Sequence, residues 1–426
     1  MHILIKNGRV IDPAHAIDKV QDVYVAEGRI AALGNPPEGF QPEHTIDARG
    51  HIVCPGLVDL AAHLREPGAE HKATIASETR AAAAAGITTL CCPPDTDPVI
   101  DTPAVVELIR HRAQQAGFAR VIPLGALTQA LAGAELTEMA ALQAAGCAGL
   151  TNTRLPVNNS LVMRRIMEYA ATHDITVFLH PEDHALANHG CAHEGAVATR
   201  LGLPGIPESA ETVALARDLT LIEQTGVRAH FCRLSSARSV RMVARAQHEG
   251  LPVTADVCAH SLYLTEMDIG LFNSQCHVLP PLRTLRDRDG LRHGLSDRTL
   301  GAICSDHQPH EPDAKLAPFT ETEPGMSALE TLLPLSLRLV DENLLSLPEA
   351  IALITCGPAQ ILRIEAGTLA TGQAADICIF DPEHYWTITE DTLVSRGHNT
   401  PFLNWEFKGR VTHTLLGGKL VYALSP

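Results

Sequence analysis

The first fifty residues alternate apolar and polar positions with a period of two, which sends successive side chains to opposite faces of a strand. Segments 3–12 (ILIKNGRVID), 22–34 (DVYVAEGRIAALG) and 44–53 (HTIDARGHIV) carry the alternation, and Gly8, Gly28 and Gly50 interrupt it. Each glycine predicts a hairpin, so the stretch reads as antiparallel β with no helix-length segment. Cys54-Pro55-Gly56 then breaks the pattern. From about 55 to 365, short apolar runs alternate with Ala/Leu/Arg-rich segments of helical length. The runs are 56–63, 86–92, 121–127, 147–152, 175–180, 227–235, 252–260 and 300–307. Segments 76–86, 102–117, 160–174 and 236–250 predict helices, and Gly86, Gly117 and Gly250 close three of them.

Eight strand-like runs separated by helices predict an α/β protein built on a (β/α)8 TIM barrel. After 366 short strands return, in 367–382, 384–388 and 404–422. The two terminal β segments are expected to pair. This predicts a β-sandwich assembled from residues 1–54 and 366–426 around a barrel of residues 55–365.

Composition narrows the function classes. The 426 residues hold 33 Lys+Arg against 49 Asp+Glu, a formal charge of −16. That balance argues against nucleic acid as a partner, because phosphate binding needs clustered basic residues. No apolar run approaches the roughly 18 residues of a transmembrane helix, and the N-terminus reads as a strand rather than a signal peptide. Eleven cysteines without CxxC spacing point to reduced thiols and a cytoplasmic location. The 22 histidines raise the question of a metal.

In such a barrel the polar residues at the strand C-termini form the active site. Those ends carry Asp59, His63 and Arg65; Asp95; Asn152 and Thr153; His180; Arg233; His260; and Asp306, His307 and His310. Six motifs run in order along the chain: HLREPG (63–68), PVNNSLVMRRIMEYA (156–170), LPPLRTLRDRDGL (279–291), SDHQPH (305–310), NTPF (399–402) and GRVTHTLLGGKLVY (409–422). With them the chain resembles the dihydroorotases of the amidohydrolase superfamily.

The resemblance implies one or two zinc ions. Their ligands would be an HxH pair on strand 1, a bridging Asp or carboxylated Lys on strand 4, one His each on strands 5 and 6, and an Asp on strand 8. Zinc lowers the pKa of a bound water to near 7, and the strand-8 Asp accepts its proton. Three of these positions depart from the family pattern. Positions 61–63 read Ala61-Ala62-His63, the bridge falls on Asn152 or Thr153, and Arg233 replaces the strand-6 histidine. The barrel's only lysines, Lys72 and Lys315, lie far along the chain from the bridge position. His63, His180 and Asp306 remain as residual ligands, with Asp306 the vestigial general base. Arginine stays protonated and cannot ligate zinc. Arg233 is therefore expected to replace the metal as the site's cation, neutralising Asp306 or Asp59. By the same resemblance Arg65, His260 and His310 match substrate-pocket positions, and Asp95 stands where the family has an asparagine.

The ligand losses resemble those of the degenerate, non-catalytic dihydroorotase-like subunits that associate with aspartate transcarbamoylase in pyrimidine biosynthesis. That reading implies no cofactor, and a homo- or hetero-oligomer without nucleic acid or membrane. The alternatives are an active cyclic amidase with one zinc ion, acting on dihydroorotate, allantoin or a hydantoin, and a sensor that binds a pyrimidine intermediate through Arg65 and His260.

Overall fold

The computed structural model describes residues 2–424. Met1 and the last two residues, which the expected sandwich bounds include, lie outside the described residues. All eight expected barrel strands form: β1 (Leu57–Asp59), β2 (Ile87–Cys92), β3 (Arg120–Pro123), β4 (Leu150–Thr151), β5 (Val177–Leu179), β6 (Ala229–Phe231), β7 (Val253–Cys258) and β8 (Ala302–Cys304). β1, β2 and β3 pair in parallel, and so do β4 to β8 in sequence. Gly125–Ala126, just past β3, pairs with β4. The cylinder closes where Ala62 bridges His307 in parallel. There the His63 amide donates to the His307 carbonyl at 2.8 Å and the His307 amide donates to Ala61 at 3.1 Å.

The strands are short and apolar on both faces, as expected of parallel strands covered inside and out. Val58, Cys91, Phe178, Ala302 and Cys304 pack inside the barrel, against Ile361 and Leu362 of the helix Cys356–Leu362. This plug fills one end of the barrel, so polar side chains are confined to the other. The helices follow their sequence signals. Thr74 caps Ile75–Ala84 through the Ser77 amide, and Gly117 ends Pro103–Ala116 at φ +71°. Among the described residues no helix is long and apolar enough to cross a membrane.

The terminal segments form two facing sheets. One has four strands, in the order Arg29–Leu33, Val23–Ala26, His2–Lys6, His44–Asp47. The other has six, in the order Lys419–Ala423, Glu406–Leu416, Ile377–Thr387, Ile52–Pro55, Arg9–Asp12, Ile17–Val20. Ile3, Ile5, Val25, Val53, Ile377, Ile379 and Leu415 fill the space between them. The C-terminal strand Ile377–Thr387 pairs antiparallel with the N-terminal Ile52–Pro55, which joins the two ends of the chain.

Two of the three expected hairpins do not exist. Gly28 does turn a hairpin, with Ala26 opposite Arg29. At Gly8 and Gly50 the chain instead crosses from the four-stranded to the six-stranded sheet. The strands around these glycines then pair in parallel, His2–Lys6 with His44–Asp47 and Arg9–Asp12 with Ile52–Pro55. The physical reason at Gly8 is a close approach: a Cβ there would lie 2.5 Å from Val53 Cγ2. Alternation of side chains fixes which face is buried, not which sheet a strand joins.

Gly56 joins the sandwich strand to β1, and a Cβ there would meet the buried Thr88 side chain at 2.2 Å from Oγ1. Gly56→Ala is expected to destabilise by about 1–3 kcal/mol through overpacking. Urea unfolding followed by circular dichroism checks this, and a change within about 0.3 kcal/mol would show that the junction relaxes freely.

Candidate active-site remnant

The polar end of the barrel gathers the strand-end residues expected from sequence. Arg65, Thr153, Arg233 and Asp306 all take left-handed backbone, with φ of 62°, 51°, 55° and 49°. Non-glycine residues adopt this conformation at a cost of roughly 1–3 kcal/mol, and such residues cluster at functional sites.

Arg233 and Asp306 form the centre. Arg233 Nη1 donates to Asp306 Oδ1 at 3.1 Å, and both side chains are buried. The other Asp306 oxygen accepts from Gln308 Nε2 at 3.0 Å. Burial disfavours the Asp306 carboxylate, but Arg233, His63 and Arg154 outweigh it and hold its pKa below the usual range. Burial likewise disfavours the Arg233 cation, and Asp306 more than restores it. The Arg233 amide donates to Asp256 Oδ1 at 2.5 Å, while Asp256 Oδ2 meets His230 Nε2 at 2.9 Å. His230 Nδ1 meets Thr254 Oγ1 at 2.8 Å. This buried strut fixes the backbone that aims the guanidinium.

Of the two acids Arg233 was expected to neutralise, Asp306 receives it. Asp59 sits instead against Ser305, whose amide donates at 2.8 Å and whose hydroxyl also donates. Burial pushes the Asp59 carboxyl up to about 7.

The residues at the ligand positions do not fit a zinc ion. His63, His180 and Asp306 do not bring one donor atom each to within 4.8 Å of one another, and His230, Cys232 and Asp256 are the one group among the described residues that does. In that group His230 and Asp256 are already committed to the strut. His63 Nδ1 faces Asp95 Oδ2 at 3.3 Å. Both His180 ring nitrogens are buried without a hydrogen-bond partner, as a free ligand's would be. Yet burial, then Arg233 and Arg154, push the His180 pKa well down. A cation beside His180 would meet two guanidiniums. Asn152 is spent on Thr128, with its Oδ1 accepting from the Thr128 amide at 3.1 Å, and on the Leu155 carbonyl at 3.2 Å. Thr153 turns back so that its amide donates to Thr151 Oγ1 at 2.9 Å. Ala61 has no donor atom.

Of the substrate-pocket positions, Arg65 and Asp95 line a cavity of about 160 Å³ together with His63 and Thr96, while His260 and His310 are not part of its lining. Arg65 Nε donates to the Pro309 carbonyl at 3.0 Å, and Nη2 meets His310 Nε2 at 3.0 Å. Burial opposes the charge of Asp95, but His63, Arg154 and Arg65 keep it ionised. Burial lowers the buried His260 to about 4, so its ring is neutral near pH 7. The cysteines near the strand ends are free thiols with raised pKa values, through burial at Cys91, Cys92, Cys232 and Cys258, and through the hydrogen bond with Cys258 and then burial at Cys304.

Sequence reasoning missed Arg154 and the His230–Asp256 strut. Arg154 Nη1 donates to the Leu279 carbonyl at 3.1 Å, and its charge acts on His180, Asp95 and Asp306. Its position directly after Thr153 was the available signal. The shared motifs, by contrast, are committed to structural bonds. In HLREPG, Glu66 accepts from the Ile75 amide at 2.7 Å and pairs with Arg112 at 2.6 Å. In SDHQPH, His307 Nε2 meets Glu78 at 2.8 Å. In NTPF, Asn399 accepts from the His310 amide at 2.8 Å and donates to the Gln308 carbonyl at 3.0 Å. In LPPLRT, Arg283 donates to Ser235 Oγ at 2.6 Å, beside the buried Glu211.

Arg233→Met removes the partner of a buried carboxylate and is expected to cost about 3–5 kcal/mol at pH 8. The sign with pH follows. Without its cation Asp306 protonates more readily, so the loss fades on acidification. Adding Asp306→Asn should recover much of it. Chemical denaturation of the three variants at pH 5 and pH 8 checks this, and equal losses at both pH values would contradict the buried charge. Asp59 has the opposite sign, because its folded pKa is raised. Wild-type stability drawn from this group falls as pH rises from about 4 to about 7. Asp59→Asn should therefore gain stability relative to wild type between pH 5 and pH 8, by on the order of a few kcal/mol. A pH-independent difference would refute it.

A family model described as dihydro-orotase-like matches residues 50–239, and one described as amidohydrolase family matches residues 223–422. The chain is 52% identical over 422 residues to a dihydroorotase-like protein of Pseudomonas putida, covering 99% of each chain. It is 51% identical to a dihydroorotase-like protein of Pseudomonas aeruginosa, covering 99% of this chain and 100% of that one. A dihydroorotase of Syntrophotalea carbinolica is 45% identical over 425 residues, covering 100% of both. Among solved structures, the L-hydantoinase of Arthrobacter aurescens superposes with a TM-score of 0.88 at 22% identity, covering 99% of this chain and 97% of that one. That likeness shows the fold, a TIM barrel with a β-sandwich. The chain belongs to the dihydroorotase-like family of the amidohydrolase superfamily.

Proposed function

We propose that this chain is a cytoplasmic dihydroorotase-like protein of pyrimidine biosynthesis that holds no zinc and does not hydrolyse dihydroorotate. In this reading it serves as an assembly subunit of aspartate transcarbamoylase, within an oligomer. The observation that carries the reading is the buried Arg233–Asp306 ion pair at 3.1 Å. Opening a cyclic amide near pH 7 calls for an activated water, and a metal supplies one by lowering the water's pKa from 15.7 to about 7. Here a guanidinium stands at a ligand position, and Asp306, the one candidate base, is held ionised by Arg233 and Gln308. A base of such low pKa is poorly matched to taking a proton from an unactivated water. The shared motifs support the scaffold half of the reading, since their polar side chains hold the barrel together.

The second reading, an active cyclic amidase with a single zinc, is favoured by the His180 ring, whose nitrogens are buried without a hydrogen-bond partner.

Native protein is expected to carry zinc far below one equivalent per chain by elemental analysis. Its dihydroorotate turnover with added zinc should equal that of Asp306→Ala, and Arg233→His should gain no stoichiometric metal, because Ala61 and Asn152 are unchanged. Stoichiometric zinc with turnover lost in Asp306→Ala would install the second reading. The assembly half predicts co-migration with aspartate transcarbamoylase from the same organism in sedimentation, and independent migration would remove it.

A further inference from the structure

The loops after β7 and β8 form one platform beside the barrel mouth. Ser274 Oγ donates to the Lys315 carbonyl at 2.7 Å. His277 Nδ1 meets Thr322 Oγ1 at 2.8 Å, and its ring stacks on Phe319 at 4.9 Å. The buried Lys315 Nζ donates to the Glu323 carbonyl at 2.6 Å and to the His277 carbonyl at 3.3 Å. Despite this rigid base, the platform exposes large apolar side chains. Leu271 is 92% exposed, Leu316 78%, Met267 57% and Phe272 48%. Ordinary loops in an acidic chain have no need to hold four such residues outward, and clustered exposed apolar groups mark interaction sites.

The exposed charged side chains of these two loops are all acidic. Within 264–276 and 311–323, Asp268, Asp313, Glu321 and Glu323 are exposed, and the one Lys or Arg, Lys315, is buried. A two-fold contact between copies would press this patch against itself. Glu323 is paired with the buried Lys72 at 2.6 Å, but Asp268, Asp313 and Glu321 would face their own copies with no Lys or Arg of these two loops exposed to offset them, which disfavours a second copy.

We propose that this platform is the docking face for a different protein chain that presents apolar contacts ringed by Lys and Arg. The proposal rests on the assembly reading, which makes that chain aspartate transcarbamoylase. Phe272 and Leu271 would be the anchors, and the acids would steer the encounter and set its salt dependence.

The test is titration of the full-length protein with purified aspartate transcarbamoylase of the same organism. Leu271→Ser and Phe272→Ser should each weaken binding about tenfold or more. Salt should weaken the wild-type complex, and Asp313→Lys with Glu321→Lys should slow association. Val20→Ser and Leu420→Ser, exposed on the sandwich, are the controls and should bind as wild type. Unchanged thermal unfolding of the Leu271 and Phe272 variants shows that they fold. Binding that neither variant weakens would overturn the docking face and leave the assembly reading standing. No binding by wild type would overturn both. A wild-type homodimer broken by Phe272→Ser would assign the face to a second copy and overturn the proposal.

Discussion

The ion pair between Arg233 and Asp306 is the constraint around which the barrel mouth is built. Closing eight parallel strands leaves charged side chains on a floor from which water is largely excluded, and Asp306 is 2% exposed. A carboxylate there cannot remain ionised without a cation, since desolvation costs several kcal/mol per ion. A guanidinium meets that need with a charge it cannot lose, and with donors in a fixed fork. It also needs aiming, which explains the strained backbone at Arg233 and the Asp256 carboxylate that holds its amide.

The same logic sorts the family motifs into two groups. Some motif side chains tie segments together, as with Glu66 to Arg112, His307 to Glu78, and Asn399 to the loop after β8. The positions expected from the resemblance to hold metal ligands carry Ala61, Asn152, Thr153 and Arg233. Asn152 shows how the change is accommodated, since its amide now braces the turn after β4.

Much of this was legible in the sequence, because apolar runs of strand length alternating with capped helices specify a barrel almost by themselves. Seven of the eight barrel strands fall within the expected runs, and β3 begins one residue ahead of its run, at Arg120. The sandwich was harder. Gly8 and Gly50 look like hairpin glycines, but whether a chain folds back or crosses to a second sheet depends on packing such as Gly8 against Val53. At the site, the residue types at 61, 152 and 233 already argued against zinc. The partner of Arg233 did not follow from sequence, since Asp59 and Asp306 are both buried acids at strand ends. The choice is made by Ser305, which satisfies Asp59 and leaves Asp306 to the arginine. Arg154 escaped notice because no ligand pattern includes it, and its effect is electrostatic rather than a contact.

The scarcity of lysine takes on a structural meaning. Neither barrel lysine stands near β4, where a carboxylated lysine would bridge two metals. Both meet at Glu323 instead. Lys72 Nζ pairs with its carboxylate at 2.6 Å, and Lys315 Nζ takes its carbonyl. Lys72 also lies 3.3 Å from His310, which in turn contacts Arg65, so the loop after β8 is tied to the loop after β1 across the cavity. Burial lowers the Lys315 amine to about 8. The mouth and the exposed platform are therefore one hydrogen-bonded unit.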